Sequence, residues 1–159
     1  MDLVITHLDS AGPPELKGKW KQGDVLIPPL SELPMAYLAK DQTQIFPADN
    51  MEDEHLMNLV LVVLYDYTAD LHESEDIVKG VSGLYKLMEG RGADYKLDTT
   101  SLAYLIRLNN QIADKVWLGL GSPVQIQYGL GFGRRGPGIF SSEATMRFTL
   151  RSHLPRVDL

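Results

Sequence analysis

The stretch Gly131-Phe132-Gly133-Arg134-Arg135-Gly136-Pro137-Gly138-Ile139-Phe140 contains a literal GxGxxG in Gly131, Gly133 and Gly136. A dinucleotide fingerprint needs its third glycine to open a helix, because the helix N-terminus holds the pyrophosphate. Here Pro137-Gly138 follows and then a strand-like run. Without the helix the match carries no nucleotide chemistry, and no cofactor is expected. Two readings of the loop stay open. One is a long hairpin tip. The other is an interaction loop in which Arg134 and Arg135, flanked by Phe132 and Phe140, dock on a protein surface or a phosphate backbone.

The remaining candidates for chemistry are carboxylates and histidines. Asp66, Asp70, Glu73, Glu75 and Asp76 crowd one stretch and could pair as acid and base. Placed just before a helix, they read better as a solvated cap at its positive end, with Ser74 as N-cap. His7, His55, His72 and His153 form no HxH or HExxH spacing, so no metal site is expected. No GxSxG elbow surrounds any serine. No catalytic constellation emerges, and the chain is not expected to be an enzyme.

The elements that would position these residues follow from hydrophobic periodicity. Residues 1–32 are punctuated by Gly12, Pro13, Pro14, Gly18, Gly23, Pro28 and Pro29, with Lys17, Lys19 and Lys21 around Trp20. Prolines exclude a central strand or a long helix, so this part reads as an extended N-terminal arm anchored through Trp20, Leu26 and Ile27. Within it, Asp2 to Leu8 fits a short strand or one helical turn equally well. Residues 34–38 read as a short strand and 41–54 as a polar loop. Leu56 to Tyr67 is nearly all apolar, β-branched or aromatic, which describes a central strand covered on both faces.

Ile77, Val81, Leu84 and Met88 recur at helical spacing up to Gly90 or Gly92. A second helix runs from Asp98 or Thr99 to about Lys115. Val124 to Leu130 and Ala144 to Leu150 alternate apolar with polar, as half-buried antiparallel strands do. The expectation is an α+β fold: a mainly antiparallel sheet of about four strands, two helices on one face and the N-terminal arm. Residues 33–159 form its single domain.

Composition bounds the function classes. The chain has 159 residues, no cysteine and a net charge of −6. Disulfides and thiolate sites are excluded, and nothing favours whole-surface attraction to nucleic acid. The apolar runs are too short for a bilayer, and the N-terminus lacks the basic start of a signal peptide. Charge is nonetheless polarised. Asp41 to Val78 holds ten acidic residues and no Lys or Arg, whereas Gly131 to Val157 holds Arg134, Arg135, Arg147, Arg151 and Arg156 against Glu143 alone. Acidic and basic surfaces on one small subunit suit head-to-tail association, which closes into a ring where the rotation permits. Asp70, Glu73, Glu75 and Asp76 on one side and Arg147 and Arg151 on the other are the candidate contacts.

The run Leu33-Pro34-Met35-Ala36-Tyr37-Leu38, the apolar strand Met57 to Tyr67, the acidic turn into the 77–88 helix and the closing antiparallel pair together resemble the tail terminator and tail completion proteins of tailed bacteriophages. The resemblance covers roughly residues 33–153 and lies in element order, not in invariant residues. It implies a structural virion subunit that forms a ring, commonly a hexamer, capping the tail tube and meeting the head connector or neck. The implied partners are other copies, the tube protein and neck proteins, with transient contact to DNA in the lumen. No membrane is involved, and assembly takes place in the host cytoplasm. Members of that family begin with an amphipathic helix, where this chain has its proline- and glycine-rich stretch. Another neck or baseplate-associated component is the near alternative. A small ligand-binding domain or enzyme, with its site under the glycine-rich hairpin, is the alternative of a different class.

Overall fold

The computed structural model describes residues 1–23, 30–48, 52–66, 78–90, 96–108, 110–120, 123–132 and 140–155. Three strands carry the architecture: β2 (Met35–Pro47), β3 (Glu52–Asp66) and β7 (Phe140–Pro155). They run antiparallel in the order β2-β3-β7, and β3 is paired along its whole length on the β7 side. Both flanks of this platform are built from shorter strands. Beside β2 lies β1 (Trp20–Gln22), which is parallel to it. Beside β7, β6 (Gln125–Phe132) takes the first half of the strand and β5 (Val116–Leu118) the second, with β4 (Gln111–Ala113) outside β5.

Among the described residues this is a seven-stranded mixed sheet, and about half of those residues lie in strands, so the expected α+β sheet of about four strands is wrong. Three segments account for the difference. The 41–54 polar loop is instead the end of β2 and the beginning of β3, a long hairpin whose register shifts at a bulge between Lys40 and Gln42. Its polarity reflects exposure on both faces, since the backbone ladder needs no buried side chains. The second helix is only α3 (Leu102–Arg107), and the residues after it turn back through Asp114-Lys115 as the β4–β5 hairpin. Lys115 takes the left-handed conformation there, at φ 55°.

The third segment is the N-terminus. Asp2–Ala11 forms a ten-residue helix, α1, and not an extended arm. Val4 and Leu8, one turn apart, and Leu16 beyond the helix are all fully buried. They join the main core made by Leu59, Leu61 and Val63 of β3, Ala144, Met146, Phe148 and Leu150 of β7, and the helices. The prolines end α1 without preventing it: Gly12 donates its N–H to the Leu8 carbonyl at 2.9 Å, and Pro14 opens a short 3-10 turn.

Helix α2 (Val78–Met88) lies against β3 and β7, and α1 and α3 lie beside it on the same face of the sheet. Among its described side chains, Leu84, Leu87 and Met88 are buried, one helical turn or less apart. It ends at Gly90, where φ is +51° and the N–H reaches back to the Tyr85 carbonyl at 3.1 Å. That left-handed closure is the conformation glycine tolerates best. Ser101 caps α3, its hydroxyl accepting from Tyr104 N–H at 3.3 Å.

Candidate functional site

Side chains alternate across a strand, so the register fixes which residues share the face opposite the helices. On β3 these are Glu52, Glu54, Leu56, Asn58, Val60, Val62 and Leu64, and on β7 Glu143, Thr145, Arg147, Thr149, Arg151 and His153. Gln125 and Gln127 of β6 and Gln42 and Gln44 of β2 extend the same surface. One end is apolar and closed, because Met35, Tyr37, Val62 and Leu64 form a second buried cluster there. The rest is polar and half-buried to exposed, and no helix among the described residues covers it.

A shallow concavity of about 170 Å³ lies in the middle, lined by Asp41, Asn58, Gln125, Arg147 and Thr149 among others. Arg147 reaches sideways to the Gln127 amide oxygen at 3.2 Å. Pockets that enclose a small molecule run from roughly 300 to 1,000 Å³, so this hollow is too small and too open to bury one. A second hollow of about 240 Å³, on the helical side, is bordered by Glu89, Arg107 and Ile126. At its margin the Tyr128 hydroxyl donates to Glu89 at 2.9 Å, and the Tyr128 ring lies 6.0 Å from that of Tyr85.

The far end of the polar face holds a compact charged cluster. Arg151 and Glu54 approach to 2.7 Å, Lys115 pairs with Glu52, and His153 Nδ1 lies 4.0 Å from the same carboxylate. Trp117 meets the His153 ring edge-on, with centroids 5.9 Å apart. Each carboxylate has a cation beside it, which is the arrangement of a clamp joining the ends of β3, β7 and the β4–β5 hairpin. Partly exposed pairs of this kind each contribute on the order of 1 kcal/mol or less. Among the described residues, no three His, Asp or Glu side chains gather in a way that could hold a metal ion.

Of the residues singled out in the sequence, Arg147 and Arg151 fall on this face, four residues apart on β7 with Thr149 between them. Trp20 sits on β1, half-buried against the chain's own core, with its indole nitrogen buried and unpartnered among the described residues. The backbones of Phe132 and Phe140 form the last pair of the β6–β7 ladder. Leu26, Ile27, Arg134, Arg135, Asp70, Glu73, Ser74, Glu75 and Asp76 lie outside the described residues. Sequence reasoning missed Glu52, Glu54, Lys115, Trp117 and His153. The signal was the i, i+2 spacing of Glu52 and Glu54 and of Arg151 and His153, which becomes informative only once 52–54 is read as strand.

No helix among the described residues is long and apolar enough to cross a membrane. No protein-family model matches the chain, and no curated protein sequence matches it.

Proposed function

We propose that this protein is an assembly subunit of a bacteriophage tail, a ring-forming terminator or completion protein that caps the tail tube and joins it to the neck. The observation that carries this reading is the polar face of the β2-β3-β7-β6 sheet, which is broad, is uncovered among the described residues, and has at its middle a hollow too small and open to enclose a small molecule. A surface of that kind suits contact with another protein better than turnover of a metabolite. Two further features support it. The chain's acidic and basic residues are segregated, which favours head-to-tail contact between copies. Helix α1 also supplies the amphipathic start found in the family that the element order resembles.

In this reading the helices and sheet make a rigid wedge, and the bare face and strand edges meet neighbouring subunits. The 131–140 loop, with Arg134 and Arg135, serves the tube, the lumen or the connector. Electron microscopy of the purified protein, alone and mixed with tail tubes, tests the proposal. Rings, or a cap on the tube end, are the expected result. A protein that stays monomeric alone and fails to bind tubes overturns it. Arg134→Glu with Arg135→Glu is expected to leave the fold unchanged and to block joining. Particles that assemble normally with both changes would remove the loop from the interface.

A further inference from the structure

The sheet has two long edges with no strand beside them among the described residues. Beyond Leu38 and its contact with Gly23, no described residue pairs with the outer side of β2 along residues 39–47. Along β6, residues 125–132 pair with β7 only. Edge strands in soluble proteins are ordinarily blocked by charge, proline or cover. Residues 125–132, Gln-Ile-Gln-Tyr-Gly-Leu-Gly-Phe, contain no charged residue and no proline. Gln125, Gln127, Tyr128 and Gly129 are exposed there. On the β2 edge, Ile45 and Phe46 stand 59% and 45% exposed. The 39–47 edge carries Lys40, Asp41 and a bulge at one end and Pro47 at the other, and between them residues 42–46, Gln-Thr-Gln-Ile-Phe, have neither charge nor proline and are the template for strand addition.

We infer that the β6 edge of one copy pairs with the 39–47 edge of the next, so that a single sheet runs from subunit to subunit. This deepens the assembly reading and rests on it. Three observations select this partner. The strands β6, β7, β3 and β2 alternate in direction. Four alternating strands place the next copy's β2 antiparallel to β6 without inverting that copy. Charge agrees once the internal pairs Glu52–Lys115 and Glu54–Arg151 are set aside: residues 39–57 keep Asp41, Asp49 and Asp53 against Lys40, whereas 123–155 keep Arg134, Arg135 and Arg147 against Glu143. Two β2 edges would repel, and two β6–β7 units likewise. Finally, head-to-tail pairing uses both edges of every copy, whereas two-fold pairing leaves one kind of edge open.

Through the register, the β6 edge lies level with residues near Val63 of β3, and the β2 edge level with residues near Leu56. That stagger of about seven residues, roughly 23 Å, tilts the strands against the ring axis, as in closed barrels.

The chain lacks cysteine, so introduced thiols report without background. Gln44→Cys and Gln127→Cys place thiols on the same face of the two edges. With a short bis-maleimide, the double variant is expected to give a ladder of covalent oligomers ending at the ring size, and each single variant to remain uncrosslinked. In parallel, Gln125→Glu with Gln127→Glu should retain the native circular dichroism and raise the concentration needed for assembly at least tenfold. Efficient dimers from Gln127→Cys alone would show two β6 edges meeting and overturn the head-to-tail pairing. Rings that form without a ladder would overturn the pairing and leave the assembly reading intact. A protein monomeric at every concentration, with no ladder, overturns the pairing, and failure to bind tubes as well overturns the assembly reading.

Discussion

Leu8→Ala tests whether α1 belongs to the core. Leu8 is fully buried on a helix that packs beside α3 and β4, and it belongs to the same cluster as Leu61 and Met146. Removing its isobutyl group takes away buried apolar surface and leaves a cavity that rigid neighbours fill only in part. Substitutions of this kind cost about 2–5 kcal/mol. A domain of this size is stable by about 5–15 kcal/mol, so the loss is a large fraction of the total. With a urea dependence of about 1–3 kcal/mol per molar, the unfolding midpoint should fall by on the order of 1–2 M. Tryptophan fluorescence follows the transition through Trp20, packed on the core, and Trp117, edge-on to His153. Leu3→Ala is the control, since Leu3 stands 45% exposed on the same helix and should shift the midpoint little. Equal and small shifts for the two variants would refute the placement of α1 and restore the extended arm.

Gly90→Ala should destabilise the protein by about 1–3 kcal/mol by the same measurement, because φ there is +51° and a β-carbon would lie 2.8 Å from Asp98 Cβ and 2.9 Å from the Lys86 carbonyl oxygen. A neutral result would mean that α2 does not close through a left-handed residue. Asp98 accepts from the Thr100 N–H at 2.8 Å and its hydroxyl at 2.7 Å, and these bonds, the backbone one first, hold its carboxyl below the usual carboxylate range. A lowered folded-state pKa contributes stability above the unfolded value, near 3.9, that is lost as pH falls through the folded one. The stability gap between wild type and Asp98→Asn should therefore be constant from pH 7 to about 5 and narrow progressively as pH falls below the unfolded-state value. A gap that ignores pH would contradict that role.

The parts of the fold that were legible in the sequence are those whose side chains had to obey one period. β3 reads as strand because residues 59–64 face buried surroundings on both sides, and β6 and β7 because one face is wet and the other is not. Helix α2 announces itself through Leu84 and Met88 and the glycine that ends it. What failed was structure held by backbone pairing alone. Residues 42–47 and 52–55 are strand with almost no buried side chain, so no hydrophobic pattern marks them. The β4 and β5 strands are three residues each, too short for alternation to be distinguished from the tail of a helix. In α1, Val4 and Leu8 make a narrow stripe that the following prolines outweighed. The candidate face was lost with the 41–54 loop, because Glu52 and Glu54 acquire partners only when the strand brings them beside Arg151 and Lys115.

The length of the central strands is itself an argument about function. Strands of 15 and 16 residues span roughly 50 Å, whereas the 11 residues of α2 span about 16 Å. Among the described residues the helix layer therefore covers only part of the platform, and the exposure pattern agrees: Ile45, Phe46 and Leu154 are exposed, while Leu59 and Leu61, further along β3, are buried. A bare two-stranded extension is marginal in water. Here β7 runs beside it to Pro155, and the Glu52, Glu54, Lys115, Arg151 and His153 cluster ties the strand ends together. Those pairs add little net stability, so they act chiefly by fixing register at an end where apolar contacts are few. An overhang held straight by charge, with apolar side chains left in water, has the form of a surface prepared for a neighbour. Folding of the single chain would not require it.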